Sequence, residues 1–136
     1  MEQNQLIRMD NMGIVVASLD NAISFFTEIG LKLEGRATIE GEWAGKVTPD
    51  GHSRLEISQF LSPLTISDHR EAPVNSLGYL RVMFTVSDID ELLPRLQKHG
   101  ATLVGEVVQY EDVYKLCYIR GSEGHLIGPA QELHKK

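Results

Sequence analysis

Tyr79-Leu80-Arg81-Val82-Met83-Phe84-Thr85-Val86-Ser87-Asp88-Ile89-Asp90 decides the fold. Strict alternation through Val86, an acidic break and then apolar residues at helical spacing read as a strand running into a helix. Seventy positions earlier the same grammar stands in Asn11-Met12-Gly13-Ile14-Val15-Val16-Ala17-Ser18-Leu19-Asp20. Val16 corresponds to Val86, Leu19 to Ile89 and Asp20 to Asp90. Gly30, Leu33 and Gly35 then correspond to Gly100, Leu103 and Gly105 in the same register. A register held through a strand, a helix and a second strand marks an internal duplication.

Working outward, one domain over residues 1–136 divides into module one (about 9–61), a Pro-containing linker (about 62–78) and module two (about 79–134). In module one a strand from Met12 to about Ala17 precedes a helix from about Asp20, whose carboxylate is the expected cap. Ala22, Ile23, Phe26 and Ile29 form its apolar stripe, and Gly30 ends it. Leu33 to Ile39 reads as strand two and Arg54 to Ser58 as strand four. Between them, Glu42–Thr48 carries only Trp43 and Val47 as large apolar groups and reads as a weak, edge-like third strand. In module two the helix runs from about Asp90 to His99 with Leu92, Leu93 and Leu96 inward and an awkward Pro94. A hairpin of Leu103–Tyr110 and Tyr114–Ile119 follows, then a last strand from His125 to Ala130. Pro129 cannot donate to a ladder, so that strand is expected at an edge or to end there. Each module is β-α-β-β-β, an α+β arrangement in which a one-faced helix covers a mixed sheet.

Composition excludes several functions. A formal charge of −6, with no basic cluster beyond Lys135-Lys136, argues against nucleic acid. No apolar run approaches the ~20 residues of a membrane helix, and the N-terminus lacks the layout of a signal peptide. The single cysteine, Cys117, suits a reducing compartment, so a cytoplasmic protein is expected.

The two modules, with Val86-Ser87-Asp88-Ile89-Asp90, Gly100 and Ile119-Arg120-Gly121-Ser122-Glu123-Gly124 before the final strand, resemble the vicinal oxygen chelate superfamily of glyoxalases, bleomycin-resistance proteins and extradiol dioxygenases. The resemblance covers residues 11–134. It implies curved sheets, a cleft formed by paired modules, and a homodimer. It further implies a divalent metal held by one residue from the first strand and one from the last strand of each module. Those positions fall on Asn11, Glu56, Arg81 and Gly128, the last within Gly124-His125-Leu126-Ile127-Gly128. Glu56 alone is an ordinary metal ligand. Arg81 has no lone pair to offer and Gly128 has no side chain. No cofactor is therefore expected.

Glu56 and Arg81 allow two readings. One is a structural ion pair on a half-buried sheet face; the other makes Arg81 a bidentate anchor for a ligand's carboxylate or phosphate. Met83 follows Arg81 on the same face. Tyr110 and Tyr114 stand at a hairpin tip that rims the cleft in this fold. Tyr110, Tyr114, Tyr118 and Trp43 also suit a core or interface. His52 and His125, each after a glycine, read as surface-turn residues. His69, His99 and His134 lack metal-motif spacing, and Cys117 reads as an apolar filler. The leading expectation is a small organic molecule bound in the cleft without metal, with Arg81, Glu56, Asn11, Met83, Tyr110 and Tyr114 around it. The alternatives are a metal-dependent lyase, isomerase or dioxygenase using Glu56, and a dimeric interaction protein whose cleft is filled.

Overall fold

A computed structural model describes residues 6–7, 9–39, 41–61 and 68–133. His134, the two terminal lysines and residues 62–67 of the expected linker lie outside them. Two compact units emerge, Met1–Leu64 and Thr65–Lys136, each with a four-stranded mixed sheet and one helix.

In module one, β1 (Met12–Val15), α1 (Leu19–Ile29), β2 (Lys32–Ile39), β3 (Glu42–Thr48) and β4 (Leu55–Phe60) form a sheet of order β1-β4-β3-β2. The β1–β4 pair is parallel and the other pairs antiparallel. The third strand thus exists, but it is internal; β2 is the edge. Its weak signal has a packing cause. A Cβ on Gly45 would lie 3.1 Å from Ile23 Cδ1 and 3.5 Å from Leu19 Cδ1, so the missing side chain is what lets α1 sit on the strand. Val47 beside it is fully buried.

Ser18, rather than Asp20, caps α1: its Oγ accepts from the Asn21 N–H at 3.1 Å. Asp20 falls inside the first turn and pairs with Arg36 at 2.8 Å. Ala22, Ile23, Phe25, Phe26 and Leu19 are the buried stripe, and Gly30 ends the helix with φ +128°.

In module two, β5 (Arg81–Val86), α2 (Ile89–Lys98), β6 (Thr102–Tyr110), β7 (Tyr114–Arg120) and β8 (Leu126–Glu132) repeat the layout as β5-β8-β7-β6. Asp88 caps α2 through the Glu91 N–H, and the helix begins at Ile89. Pro94 is its sixth residue and removes one interior hydrogen bond to Asp90. Pro129 corrects the edge expectation: β8 lies between β5 and β7. The β7–β8 ladder keeps one register from Tyr114↔Glu132 to Arg120↔Leu126 but skips Cys117 and Tyr118, opposite Pro129 and Gly128. The missing donor is absorbed as a local gap.

Candidate functional site

Pairing registers sort each sheet into two faces. In module two, Val82, Ile127, Ile119 and Leu103 lie on the α2 side, where Ile127 and Ile119 are fully buried. Arg81, Met83 and Thr85 point the other way, in line with the exposed–half-buried alternation of β5. Three rows cross that face: Arg81–Leu126–Arg120–Thr102, Met83–Gly128–Tyr118–Val104 and Thr85–Ala130–Leu116–Val108. Tyr114 and Tyr110 share the face, with rings 5.5 Å apart in an edge contact. They stand six residues along β8 from Arg81's row, about 20 Å at ~3.3 Å per residue. Arg81 and Met83 are therefore brought together, and the two tyrosines form a separate patch.

Around Arg81 the arrangement is specific. Its Cζ lies 5.3 Å from the Tyr118 ring centre, a cation–π contact. The Tyr118 hydroxyl reaches Met83 Sδ at 3.9 Å. Among the described residues of its module, Arg81 meets no carboxylate. A Cβ on Gly128 would lie 3.1 Å from Met83 Cε, Met83 Sδ and Tyr118 Cε1. A glutamate there would displace both side chains, so Met83 and Tyr118 occupy the space that a ligand side chain at this position would need. Tyr118 is the functional candidate that the sequence reading left among core residues; its alternation with Cys117 was the available signal.

In module one the equivalent row is Gly13–Glu56–Lys46–Gly35. Glu56 is half-buried, and Lys46 is its direct cross-strand neighbour. Gly35's missing Cβ would meet nothing, and Gly13's only the Glu56 carbonyl at 3.9 Å. Asn11 stands just before β1, and its amide donates to Asp10 at 2.9 Å. The donor chemistry of the four family positions does not suit a metal: one weak amide oxygen, one carboxylate, a guanidinium and a glycine. Among the described residues no three His, Cys, Asp or Glu side chains gather in a metal-holding group.

The histidines divide. His52 is exposed as expected, in a turn where Asp50 Oδ1 accepts from the backbone N–H of His52 and Ser53. His125 corrects the surface-turn expectation. Its ring packs on Gly121, both nitrogens are shielded from solvent, and burial pushes its pKa down to about 4. Cys117 is buried, and that burial pushes its thiol pKa up, away from nucleophile chemistry. Arg120, unremarked in the sequence, ties the segment before β5 to β7. It donates to the carbonyls of Arg70 and Ala72 and to the Tyr79 hydroxyl, which itself donates to the Gly124 carbonyl at 2.7 Å.

A sequence model of the Glyoxalase/Bleomycin resistance protein/Dioxygenase superfamily matches residues 8–128. The crystal structure of a glyoxalase family protein from Bacillus cereus is 64% identical, with a TM-score of 0.93, covering 98% of this chain and 99% of that one. A glyoxylase/bleomycin resistance protein/dioxygenase domain from Frankia sp. EAN1pec shares the fold at 17% identity and a TM-score of 0.71, covering 94% of this chain and 99% of its own. The trypanothione-dependent glyoxalase I of Leishmania major does so at 18% identity and a TM-score of 0.71, covering 92% and 86%. No curated protein sequence matches the chain.

Proposed function

The chain belongs to the Glyoxalase/Bleomycin resistance protein/Dioxygenase superfamily, and from that premise we propose that it binds a small organic anion on the exposed sheet face of module two without using the family's metal. The observation that carries this reading is Arg81. A guanidinium stands where the family places a metal ligand, stacked on Tyr118 and unpaired with any carboxylate among the described residues of its module. Stacking fixes the plane of the fork and leaves its edge for a bidentate carboxylate, phosphate or phosphonate. Met83 and Tyr118 supply an apolar floor for the ligand's body. On module one's own sheet face Glu56, between Gly13 and Lys46, offers a separate carboxylate to a donor group. The proposal includes a homodimer in the cytoplasm, where a lone buried cysteine stays reduced.

Calorimetric titration with phenylphosphonate and phenylacetate tests the anchor. Arg81→Met is expected to weaken binding by roughly tenfold to a hundredfold, the worth of a bidentate charge-assisted contact. Equal affinity in wild type and variant would discard it.

Glu56 also keeps a second reading open, a metal-dependent lyase, isomerase or dioxygenase, because its carboxylate sits at a family position with open space on its Gly13 side. Metal analysis of protein purified without chelator decides between them. Stoichiometric metal that disappears in Glu56→Gln would replace the first reading with the second.

A further inference from the structure

We propose that a groove on the α1 side of module one is a second binding site, taking a planar heteroaromatic molecule whose edge carries both hydrogen-bond donors and acceptors. The groove has a volume of about 310 Å³ and is lined by Leu19, Asp20, Arg36, Ala37, Thr38 and Trp43. That volume lies at the lower end of small-molecule sites and admits one or two fused rings. The pairing register puts it on the face opposite Glu56: Trp43 shares the α1 side with Gly45 and Val47. The proposal therefore rests on neither Arg81 nor Glu56.

The lining narrows the ligand. Leu19 and Ile23 close over Gly45, and Val47 is fully buried. Trp43 lies beyond that cover and is 42% exposed. A single exposed tryptophan is ordinary by itself; here it borders a recess whose other wall is polar. Thr38 is its direct cross-strand partner. Asp20 and Arg36 are joined at 2.8 Å, both largely exposed. An ion pair of this kind presents a remaining carboxylate lone pair beside remaining guanidinium N–H groups, an acceptor next to donors. β2 is also a sheet edge, so half its backbone N–H and C=O groups face outward along the same border. A ligand with one net charge would have to compete with the existing pair. A neutral ring edge that both donates and accepts leaves the pair intact and uses both of its sides, while the ring plane stacks on the indole.

Trp43 is the only tryptophan of the chain, so its fluorescence reports this groove alone. Adenine is the probe, with benzoate as a planar charged control. Adenine is expected to quench saturably at 1:1 stoichiometry, and benzoate to quench only weakly. Asp20→Asn and Arg36→Met are each expected to weaken adenine binding by roughly tenfold, the loss of one charge-assisted hydrogen bond. Both side chains are exposed, and unchanged thermal unfolding verifies that the variants fold. Arg81→Met should leave adenine binding unaltered, which separates this site from the anion site. Linear quenching equal to that of free N-acetyltryptophanamide would overturn the proposal, as would unaltered affinity in both variants. So would an emission shift on diluting the protein alone, because a second copy would then be the occupant.

Discussion

In module one the row crossing the exposed sheet face is Gly13, Glu56, Lys46, Gly35; in module two the same row is Met83, Gly128, Tyr118, Val104. Charge flanked by open space in one row corresponds to a glycine closed over by bulky side chains in the other. The helix-side frame does not diverge in this way. Ser18 and Asp88 cap the two helices at equivalent positions, each through the N–H three residues on. Gln59 Oε1 accepts from the Leu19 N–H at 2.7 Å, and Gln131 Oε1 from the Ile89 N–H at 2.8 Å. Part-buried backbone donors must be satisfied wherever a helix starts on a sheet, so both copies solve that problem alike. The exposed face carries no such obligation and is where the copies acquire different chemistry.

The turn before each final strand breaks the comparison hardest. Gly51 and Gly124 adopt nearly the same backbone, φ +82° and +84°. A Cβ on Gly51 would meet nothing, whereas one on Gly124 would lie 2.5 Å from Arg70 Cβ and 2.8 Å from its Cα. Gly51→Ala is expected to destabilise by about 1–2 kcal/mol, the left-handed backbone cost alone. Gly124→Ala adds a clash with main-chain-proximal atoms that Arg120 holds in place, for roughly 3–5 kcal/mol in all. Urea unfolding of the two variants reads the difference; equal losses would mean that the Arg70 segment does not pack on this turn.

The histidines following those glycines give the next effect. His125 has its pKa pushed down to about 4 by burial, against about 6.5 in an unfolded chain. Between those values the unfolded state binds the proton and the folded state does not. Stability is therefore full above about pH 6.5 and falls as the pH drops toward 4, by up to about 3 kcal/mol. His125→Gln is expected to flatten that part of the stability profile, and His52→Gln, at an exposed site, to leave it unchanged. A profile unaffected by His125→Gln would place the acid sensitivity elsewhere.

The duplication was legible because it is written in period and spacing: alternation in β1 and β5, helical stripes, and glycines where φ turns positive. The internal position of β3 was not, because its middle carries small residues, Gly45 under α1 and Ala44 on the opposite face, rather than large ones. Pro129 misled for a related reason; a general rule about donors cannot see that the ladder skips two positions opposite it. At the candidate site, Arg81, Glu56 and Gly128 could be placed by register. The stacking partner Tyr118 could not, because which residue of β7 lies opposite Gly128 depends on the length of the turn between the strands. His125 was misread since a glycine–histidine turn looks the same in sequence whether or not Gly121 lies beneath the ring.

The smallest expected effect is also the sharpest test of the shared frame. Gln59 and Gln131 each reach from the last strand of a module to the first N–H of its helix. Replacing either by Leu keeps the side-chain volume but leaves a part-buried donor without an acceptor, worth about 1–2 kcal/mol. The two losses are expected to agree within a few tenths of a kcal/mol, and, as the sites share no partner, to add in the double variant. Native-state hydrogen exchange at Leu19 and Ile89 should report each loss locally, with faster exchange confined to the substituted module. Markedly unequal losses would show that one helix start finds a substitute acceptor, and that the likeness of the two frames stops at geometry. Equal losses would show that the modules differ in what they present while resting on the same hydrogen-bonded support.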